Sequence, residues 1–213
     1  MSKYKVLLVE DDPLARQLLE MFMDNTEGYE LITSIVSAAM AEMYLLKYNV
    51  DLVLMDVCTA MNANGIDAAA KIKKNYPSVK VIIITSQPEY SYISKAREVG
   101  VDSFWYKTVI ADEFTTLLER TMNGESIFPD TTPTLEIGNA LSVDFTEREL
   151  EVLRLIVAGE RDADIADKLC ISLRTVKAHV QSLKDKTGLR NRTELAVKVR
   201  ESGLVIVDQK EKE

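Results

Sequence analysis

The chain has 213 residues, of which 46% are hydrophobic and 28% charged, and its formal net charge is −8. This length favours two small domains, each able to bury a core of its own. We find neither a secretion signal nor an apolar stretch of about 18 residues, so we expect a cytoplasmic protein without membrane contact. Cys58 and Cys170 lie far apart with no other metal ligands near them, which favours two free thiols over a zinc site.

The first predicted strand, residues 5–9, runs directly into the acidic pair Glu10 and Asp11. Asp12 followed by Pro13 is typical of a helix start, because an aspartate caps free backbone N–H groups and proline suits the first helical position. We therefore assign Asp12 to the helix cap. Glu10 and Asp11 remain candidate metal ligands.

Apolar strands alternate with amphipathic helices over the first 123 residues. After a helix that begins at residue 13, we expect strands at 30–36, 51–56, 79–85 and 102–106, and helices at 38–48, 66–75, 89–99 and 111–122. Five such strand–helix units predict a doubly wound α/β fold. Its five-stranded parallel sheet is expected in the flavodoxin-like order 2-1-3-4-5.

The later strands of this sheet end on polar side chains, namely Asp56, Thr85 and Lys107. In a parallel sheet these residues meet the acidic pair at one edge, where open α/β sheets bind their ligands. Clustered carboxylates repel one another, and Mg²⁺ relieves that repulsion because it prefers carboxylate, water and phosphate oxygens. Asp56 is then placed to attack a phosphoryl group and form an aspartyl phosphate. Lys107 would neutralise the added charge, and Thr85 would donate a hydrogen bond.

Turn-forming residues are dense in 124–142, which predicts a linker between two domains. Thr146, with Glu149 three positions later, forms a capping box before an apolar helix. Two further helices, at 162–169 and after Ser172, predict a helix-turn-helix. A fourth helix would complete an all-α domain over residues 143–213, and we expect it to expose an apolar seam for a dimer contact. The seam residues are Leu195, Ala196 and Val199.

The helix after Ser172 has an apolar face and a polar face. The polar face carries Arg174, Thr175, Lys177, Ala178, Gln181 and Lys184. Residues 171–200 contain eight basic and two acidic side chains. From Asp144 onward 14 basic side chains balance 14 acidic ones, so the acidic excess lies in the first 143 residues. For any single lysine a solvated surface position is the simpler explanation, but the helix as a whole favours contact with double-stranded DNA.

The order and spacing of these residues resemble a known family. Residues 1–123 resemble the receiver domain of bacterial response regulators, and residues 143–213 resemble the LuxR-type helix-turn-helix. Together they are similar to NarL/FixJ-type two-component response regulators. The resemblance implies that a sensor histidine kinase phosphorylates Asp56 and that the active protein is a homodimer on promoter DNA, with RNA polymerase as a further partner.

The same resemblance assigns roles to single residues. It implies that Mg²⁺ is held by Glu10, Asp11, Asp56 and the backbone carbonyl of Cys58. Phe104 matches the family's switch aromatic, although a plain core ring explains it equally well. Lys177, Ala178 and Gln181 match groove-facing positions, with Thr175 and Lys184 placed for phosphate.

Two departures from the family pattern leave alternatives open. The loop 57–65 after the phosphoacceptor lacks the usual proline and is one residue longer, which allows an atypical receiver that acts without phosphorylation. Thr108 replaces the usual proline after Lys107, so we expect no cis bond there. A phosphohydrolase is the other alternative, but such enzymes carry a second aspartate where this chain has Cys58. We therefore expect slow self-dephosphorylation at most, and no enzyme.

Overall fold

The computed structural model describes residues 3–107 and 111–207. The chain divides into two compact units. The first comprises residues up to Ser86 together with Ser91–Asp130, and the second comprises Gln87–Tyr90 together with residues from Thr131 onward. Within the described residues, none of the helices has the length and apolar character that crossing a bilayer requires. The bond between Lys107 and Thr108, for which we expect the trans form, lies outside the described residues.

The first unit is built on a parallel sheet. Its strands are, in chain order, β1 (Tyr4–Val9), β2 (Tyr29–Ile35), β3 (Leu52–Asp56), β4 (Cys58–Thr59), β5 (Ala63–Asn64), β6 (Lys80–Thr85) and β7 (Ser103–Tyr106). Five of them form a sheet in the order β2-β1-β3-β6-β7, and β4 pairs with β5 as a separate antiparallel ribbon. Numbered among the sheet strands alone, this is the order 2-1-3-4-5, so the predicted fold is confirmed.

The helices of the first unit are α1 (Pro13–Asp24), α2 (Ala41–Lys47), α3 (Gly65–Asn75), α4 (Tyr92–Glu98) and α5 (Ala111–Met122). The predicted helix start is confirmed, because the Asp12 side chain accepts hydrogen bonds from the backbone N–H groups of Leu14 and Ala15. The central strands β3 and β6 are buried throughout except for Lys80, the first residue of β6. Parallel strands need this apolar run because helices cover both faces of the sheet.

Helix α4 begins at Tyr92, whereas the sequence predicted a start near Glu89. The prediction was wrong because the four residues Gln87–Tyr90 belong to the second unit. There the backbone N–H of Tyr90 donates to the Leu204 carbonyl at 3.3 Å. The Glu89 carboxylate is fully buried and forms an ion pair with Arg154.

The second unit contains a short hairpin and four helices, namely β8 (Glu136–Ile137), β9 (Ala140–Leu141), α6 (Glu147–Val157), α7 (Asp162–Lys168), α8 (Leu173–Thr187) and α9 (Arg192–Ser202). The hairpin lies within the predicted linker. The capping box of α6 is confirmed, with Thr146 and Glu149 bonded reciprocally.

The apolar stripe of α9 packs inside the second unit. Leu195 and Val199 are 0% exposed and Ala196 packs against the same core, so the expectation of an exposed dimer seam was wrong. The physical reason is that α6 and α8 pack on this face of α9 and bury it. Val197 is the exposed apolar side chain on this helix.

Candidate functional site

An acidic cluster lies at the carboxyl edge of the parallel sheet. Glu10 follows β1 and Asp56 ends β3, and these two strands are hydrogen-bonded neighbours. Glu10 is fully buried and Asp56 is 7% exposed. One carboxylate oxygen from each of Glu10, Asp11 and Asp56 lies within 4.8 Å of the other two. Strand geometry therefore brings the three predicted metal ligands together.

Lys107 reaches this cluster from the end of β7. Its ammonium group forms an ion pair with Glu10 and lies 3.2 Å from Asp56 Oδ1. The same Asp56 oxygen accepts a hydrogen bond from the Val57 N–H at 2.9 Å. The second oxygen of Glu10 accepts from the Asp12 N–H at 3.1 Å. Lys107 therefore pairs with two of the three clustered carboxylates.

Thr85 occupies the predicted position at the end of β6. It is 0% exposed, and its neighbour Ile84 pairs in register with Asp56. The backbone N–H of Lys107 donates to the Thr85 carbonyl at 2.8 Å, which fixes the end of β7 beside the end of β6. The three predicted phosphorylation residues, Asp56, Thr85 and Lys107, thus lie at the ends of adjacent strands.

Burial dominates the electrostatics of Asp56. It raises the pKa of this carboxyl from 3.8 to about 7, with Glu10 adding to the rise and Lys107 and the Val57 N–H opposing it. The surrounding donors therefore do not neutralise the cluster. A divalent cation with oxygen preference fits this donor set, because it would supply the missing positive charge.

The raised pKa of Asp56 predicts that its ionisation destabilises the fold when Mg²⁺ is absent. A pKa raised to about 7 means that the folded state binds more protons than the unfolded state between about pH 4 and 7. The stabilisation that the folded state gains by holding Asp56 protonated is therefore complete below about pH 4. It is lost as the pH rises through about 7. In EDTA, Asp56→Asn should exceed the wild type in unfolding free energy by roughly 2–4 kcal/mol at pH 8 and by little at pH 4. Urea unfolding at the two pH values measures this difference, and a gap independent of pH would contradict it.

The loop after Asp56 is held by hydrogen bonds that the sequence did not indicate. The Thr59 hydroxyl accepts from the Ala38 N–H at 3.0 Å, and the Ser37 hydroxyl donates to the Ala60 carbonyl at 2.8 Å. At its tip, Met61 and Asn62 have left-handed φ values of 67° and 53°. These hydrogen bonds tie the loop to residues 37 and 38 although it lacks the usual proline.

Two residues that support the site were missed by sequence reasoning. Arg16 donates from its guanidinium to the Glu10 carbonyl at 3.1 Å and so holds the turn that carries the acidic pair. Gly65 lies so close to Asp56 that an added Cβ would be 1.9 Å from the Asp56 carbonyl oxygen. A glycine just before a predicted helix was the only available signal, and nothing in the sequence pointed to Arg16.

Phe104, the candidate switch aromatic, is 1% exposed. Its ring meets Tyr106 edge-on at 5.1 Å between centroids and stacks against Phe128 at 6.5 Å. These contacts agree with a core ring. A switching role for Phe104 stays a prediction.

Helix α8 presents the predicted recognition face. Val176 and Leu183 are 0% exposed, so the opposite side of the helix is turned to solvent. Of the six predicted DNA-contacting residues, four are exposed and two half-buried. The exposed ones are Arg174, Lys177, Ala178 and Gln181, and the half-buried ones are Thr175 and Lys184.

A buried carboxylate fixes α8 to α6. Glu149 is 3% exposed and accepts hydrogen bonds from Lys186 Nζ, the Ser182 hydroxyl and the Thr146 N–H, each at 2.8 Å. Burial alone would raise the pKa of Glu149, but these donors, led by Lys186, lower it from 4.5 to about 2. Helix α8 is therefore anchored by a charged network as well as by apolar packing.

Glu149→Gln should destabilise the second unit by about 2–3 kcal/mol at pH 7, because Lys186 loses its buried partner. A lowered pKa means that this stabilisation is present above pH 4.5 and is lost as the pH falls through about 2. Native-state hydrogen exchange of the α8 amides measures the effect. Glu147→Gln, in the same first turn but exposed, is the matched control. Equal losses in the two variants would contradict the role of Glu149.

Comparison with known proteins identifies both units. Residues 6–119 match the family described as response regulator receiver domain. Residues 143–199 match bacterial regulatory proteins of the luxR family. Together the two matches span most of the chain.

One similar protein and two solved structures of another cover nearly all of it. The response regulator protein VraR of Staphylococcus epidermidis is 30% identical over 199 residues, which are 91% of this chain and 94% of that protein. A promoter-bound structure of RcsB from Salmonella enterica serovar Typhimurium with a phosphomimetic has a TM-score of 0.63 at 19% identity, covering 96% of this chain and 100% of that one. A structure of two RcsB dimers on two parallel DNAs has a TM-score of 0.64 at 19% identity, covering 93% and 98%. The chain therefore belongs to the NarL/FixJ-type response regulators of two-component systems, in which a receiver domain is joined to a LuxR-type DNA-binding domain.

Proposed function

We propose that this protein is a transcription regulator switched by Mg²⁺-dependent phosphorylation of Asp56 by a sensor histidine kinase. The observation that carries the proposal is the cluster of three carboxylates within 4.8 Å, with Lys107 3.2 Å from Asp56. A structural ion-pair network would not need two buried carboxylates beside one lysine. A phosphoryl-accepting site does.

The chemistry follows from the position of Asp56. A carboxylate oxygen attacks the phosphorus of a phosphohistidine, a P–O bond forms, and the P–N bond breaks with its electron pair left on the imidazole. Glu10, Asp11, Asp56 and the Cys58 carbonyl would hold Mg²⁺, which supplies positive charge beside the phosphoryl oxygens. Ionised Asp56 is the reactive form, and a bound Mg²⁺ would favour that form by opposing the burial that raises the pKa of Asp56.

Two neighbours then act on the product. Lys107, already 3.2 Å from Asp56 Oδ1, stabilises the additional negative charge. The Thr85 hydroxyl donates to a phosphoryl oxygen and draws the end of β6 toward Asp56. This chain offers no second aspartate two positions after Asp56, so we infer a regulator with slow self-dephosphorylation and not a phosphohydrolase.

The output of the switch is DNA binding through α8. Its exposed face combines cations with groups able to reach base edges, which suits a helix in the major groove. RcsB is described as dimers on DNA, and we infer a homodimer of this chain on a two-fold promoter site, with RNA polymerase as a further partner. Lys177, Ala178 and Gln181 would face the groove, from which the long Lys177 side chain can also reach a flanking phosphate. Thr175 and Lys184 would lie toward phosphate, and Arg174 lies on the same face.

The test is the mass of the full chain after incubation with acetyl phosphate, with and without Mg²⁺. We expect a gain of one phosphoryl group only with Mg²⁺, located at Asp56 by peptide mapping. Tighter binding to a duplex selected from a random-sequence pool should accompany the gain. DNA binding without any mass gain would favour the atypical receiver. Steady turnover of a phosphomonoester would favour the phosphohydrolase.

Lys177→Ala should weaken DNA binding on all sequences and reduce the slope of log affinity against log salt by about one unit. The reason is that DNA binding releases about one counterion fewer for each phosphate contact that is lost. Titrations at several salt concentrations measure the slope. Lys198→Ala removes an exposed lysine from α9 and is the matched control. An unchanged slope for Lys177→Ala would exclude this lysine from the phosphate contacts.

A further inference from the structure

The chain that leaves α5 folds back onto the edge of the parallel sheet. Ile127 forms a parallel bridge with Ser103, the first residue of β7. The Phe104 N–H donates to the Ile127 carbonyl at 2.8 Å, and the Ile127 N–H donates to the Ser103 hydroxyl at 3.1 Å. Residues 125–128, which we call the latch segment, therefore extend the sheet beyond its last strand.

A buried hydroxyl relay holds the latch segment in place. Thr121 and Ser103 are both 0% exposed, and their hydroxyl oxygens are 2.7 Å apart. Thr121 donates its proton to the Leu117 carbonyl at 2.7 Å. Ser103 must then donate to Thr121, which leaves its oxygen free to accept from Ile127. The hydroxyl groups of Ser103 and Thr121 therefore connect the latch segment, strand β7 and helix α5 through one chain of hydrogen bonds.

Phe128, the last residue of the latch segment, packs against Phe104, the candidate switch aromatic. Its ring stacks against Phe104 with centroids 6.5 Å apart and an interplanar angle of 28°. The Arg97 guanidinium from α4 lies 4.2 Å from the centroid of the same ring. Arg97 itself is exposed, so this contact adds attraction without a buried charge.

We propose that the latch segment is a detachable clip, and that its release from β7 raises the affinity of the protein for DNA. When docked, the segment leaves residues 129–134, with two prolines, as the connection from α5 to the second unit, since Leu135 is already hydrogen-bonded to Ser142. Release adds the four residues of the latch segment to this connection. A longer linker lets two DNA-binding units of a dimer reach both half-sites together.

The trigger for release rests on the proposed function. Thr85 pairs in register with Tyr106, and Tyr106 meets the Phe104 ring edge-on. A pull on Thr85 by a phosphoryl group is therefore transmitted along β7 to Phe104, on which Phe128 is seated. Displacing Phe104 removes one of the two partners of the Phe128 ring.

The first experiment uses the full chain without a phosphoryl donor. Phe128→Ala should speed hydrogen exchange at the Ile127 amide about 10-fold and raise affinity for a duplex selected from a random pool roughly 5- to 20-fold. Trp105, the single tryptophan, lines the same surface cavity as Ile127, so its emission should also shift. Leu46→Ala, an exposed position on α2, is the control. Unchanged exchange or unchanged DNA affinity in Phe128→Ala would overturn the latch.

Two variants at the exposed Arg97 test the latch segment again, in case Phe128→Ala fails to fold. Arg97→Gln removes only an exposed cation and should loosen the latch segment in the same direction, whereas Arg97→Lys keeps a cation over the ring and should loosen it less.

Adding acetyl phosphate and Mg²⁺ to wild type separates the two proposals. A phosphoryl gain with no change in exchange at 125–128 refutes phosphorylation as the trigger and leaves the latch to be decided by Phe128→Ala. No phosphoryl gain, with both effects of Phe128→Ala present, supports the latch and refutes the phosphorylation switch.

Discussion

Asp56→Asn is expected to abolish phosphoryl uptake from acetyl phosphate completely. The amide is not a nucleophile at neutral pH, and its nitrogen cannot replace the oxygen that faces Lys107 at 3.2 Å. The variant should also lose any rise in DNA affinity on incubation with the donor. Intact-protein mass spectrometry measures the uptake, and the same samples titrated with DNA measure the response.

Asp51→Asn is a matched control for this substitution. Asp51 precedes β3 by one residue, and its carboxylate accepts from the Lys5 N–H at 2.8 Å, away from the acidic cluster. Its loss should cost some stability and leave phosphoryl uptake at the wild-type level. Labelling that persists in Asp56→Asn would mean that another carboxylate accepts the phosphoryl group, and the assignment of the site would be wrong.

Gly65→Ala is expected to disrupt the phosphoacceptor site and to cost more than about 3 kcal/mol of unfolding free energy. The added methyl group would lie 1.9 Å from the Asp56 carbonyl oxygen and 2.9 Å from its carbonyl carbon. Backbone atoms on a central strand cannot move aside as a flexible side chain could. Chemical unfolding gives the stability, and the initial rate of phosphoryl uptake should fall at least about 10-fold from misplacement of Asp56.

Gly100→Ala separates this steric effect from backbone strain. Gly100 has a φ of 78°, and no heavy atom lies within 4 Å of the position that its Cβ would occupy. Its replacement should cost roughly 1–2 kcal/mol from strain alone, with phosphoryl uptake unchanged. If the two variants proved equally stable and equally active, close approach at Gly65 would not be a constraint on the site.

The sequence contained enough information for the sheet and for the residues at its edge. Strands β3 and β6 are continuous apolar runs that end on Asp56 and Thr85. Parallel pairing places these two ends side by side at the carboxyl edge of the sheet. Asp12 and Thr146 were predictable as helix caps because capping depends on residues within three positions. These features are local, so a single chain read in order is sufficient to predict them.

The errors concern apolar segments whose partners are distant in sequence. The stripe of α9 has the pattern of either a core face or a dimer face, because both require apolar residues at helical spacing. Glu89 has the local character of a helix start, yet Arg154 binds it 65 residues later. The docking of Ile127 depends on a hydroxyl pair, Ser103 and Thr121, that no periodicity marks.

The placement of Gln87–Tyr90 with the second unit has a consequence for dissecting the protein. A fragment that starts at Thr131 would lack Glu89, and the Arg154 guanidinium, whose side chain is 15% exposed, would lose that carboxylate. The Tyr90 ring, 5.4 Å from the same guanidinium, would be absent too. A protease that cleaves near residue 130 is therefore expected to release a C-terminal piece less heat-stable than the same residues in the intact chain.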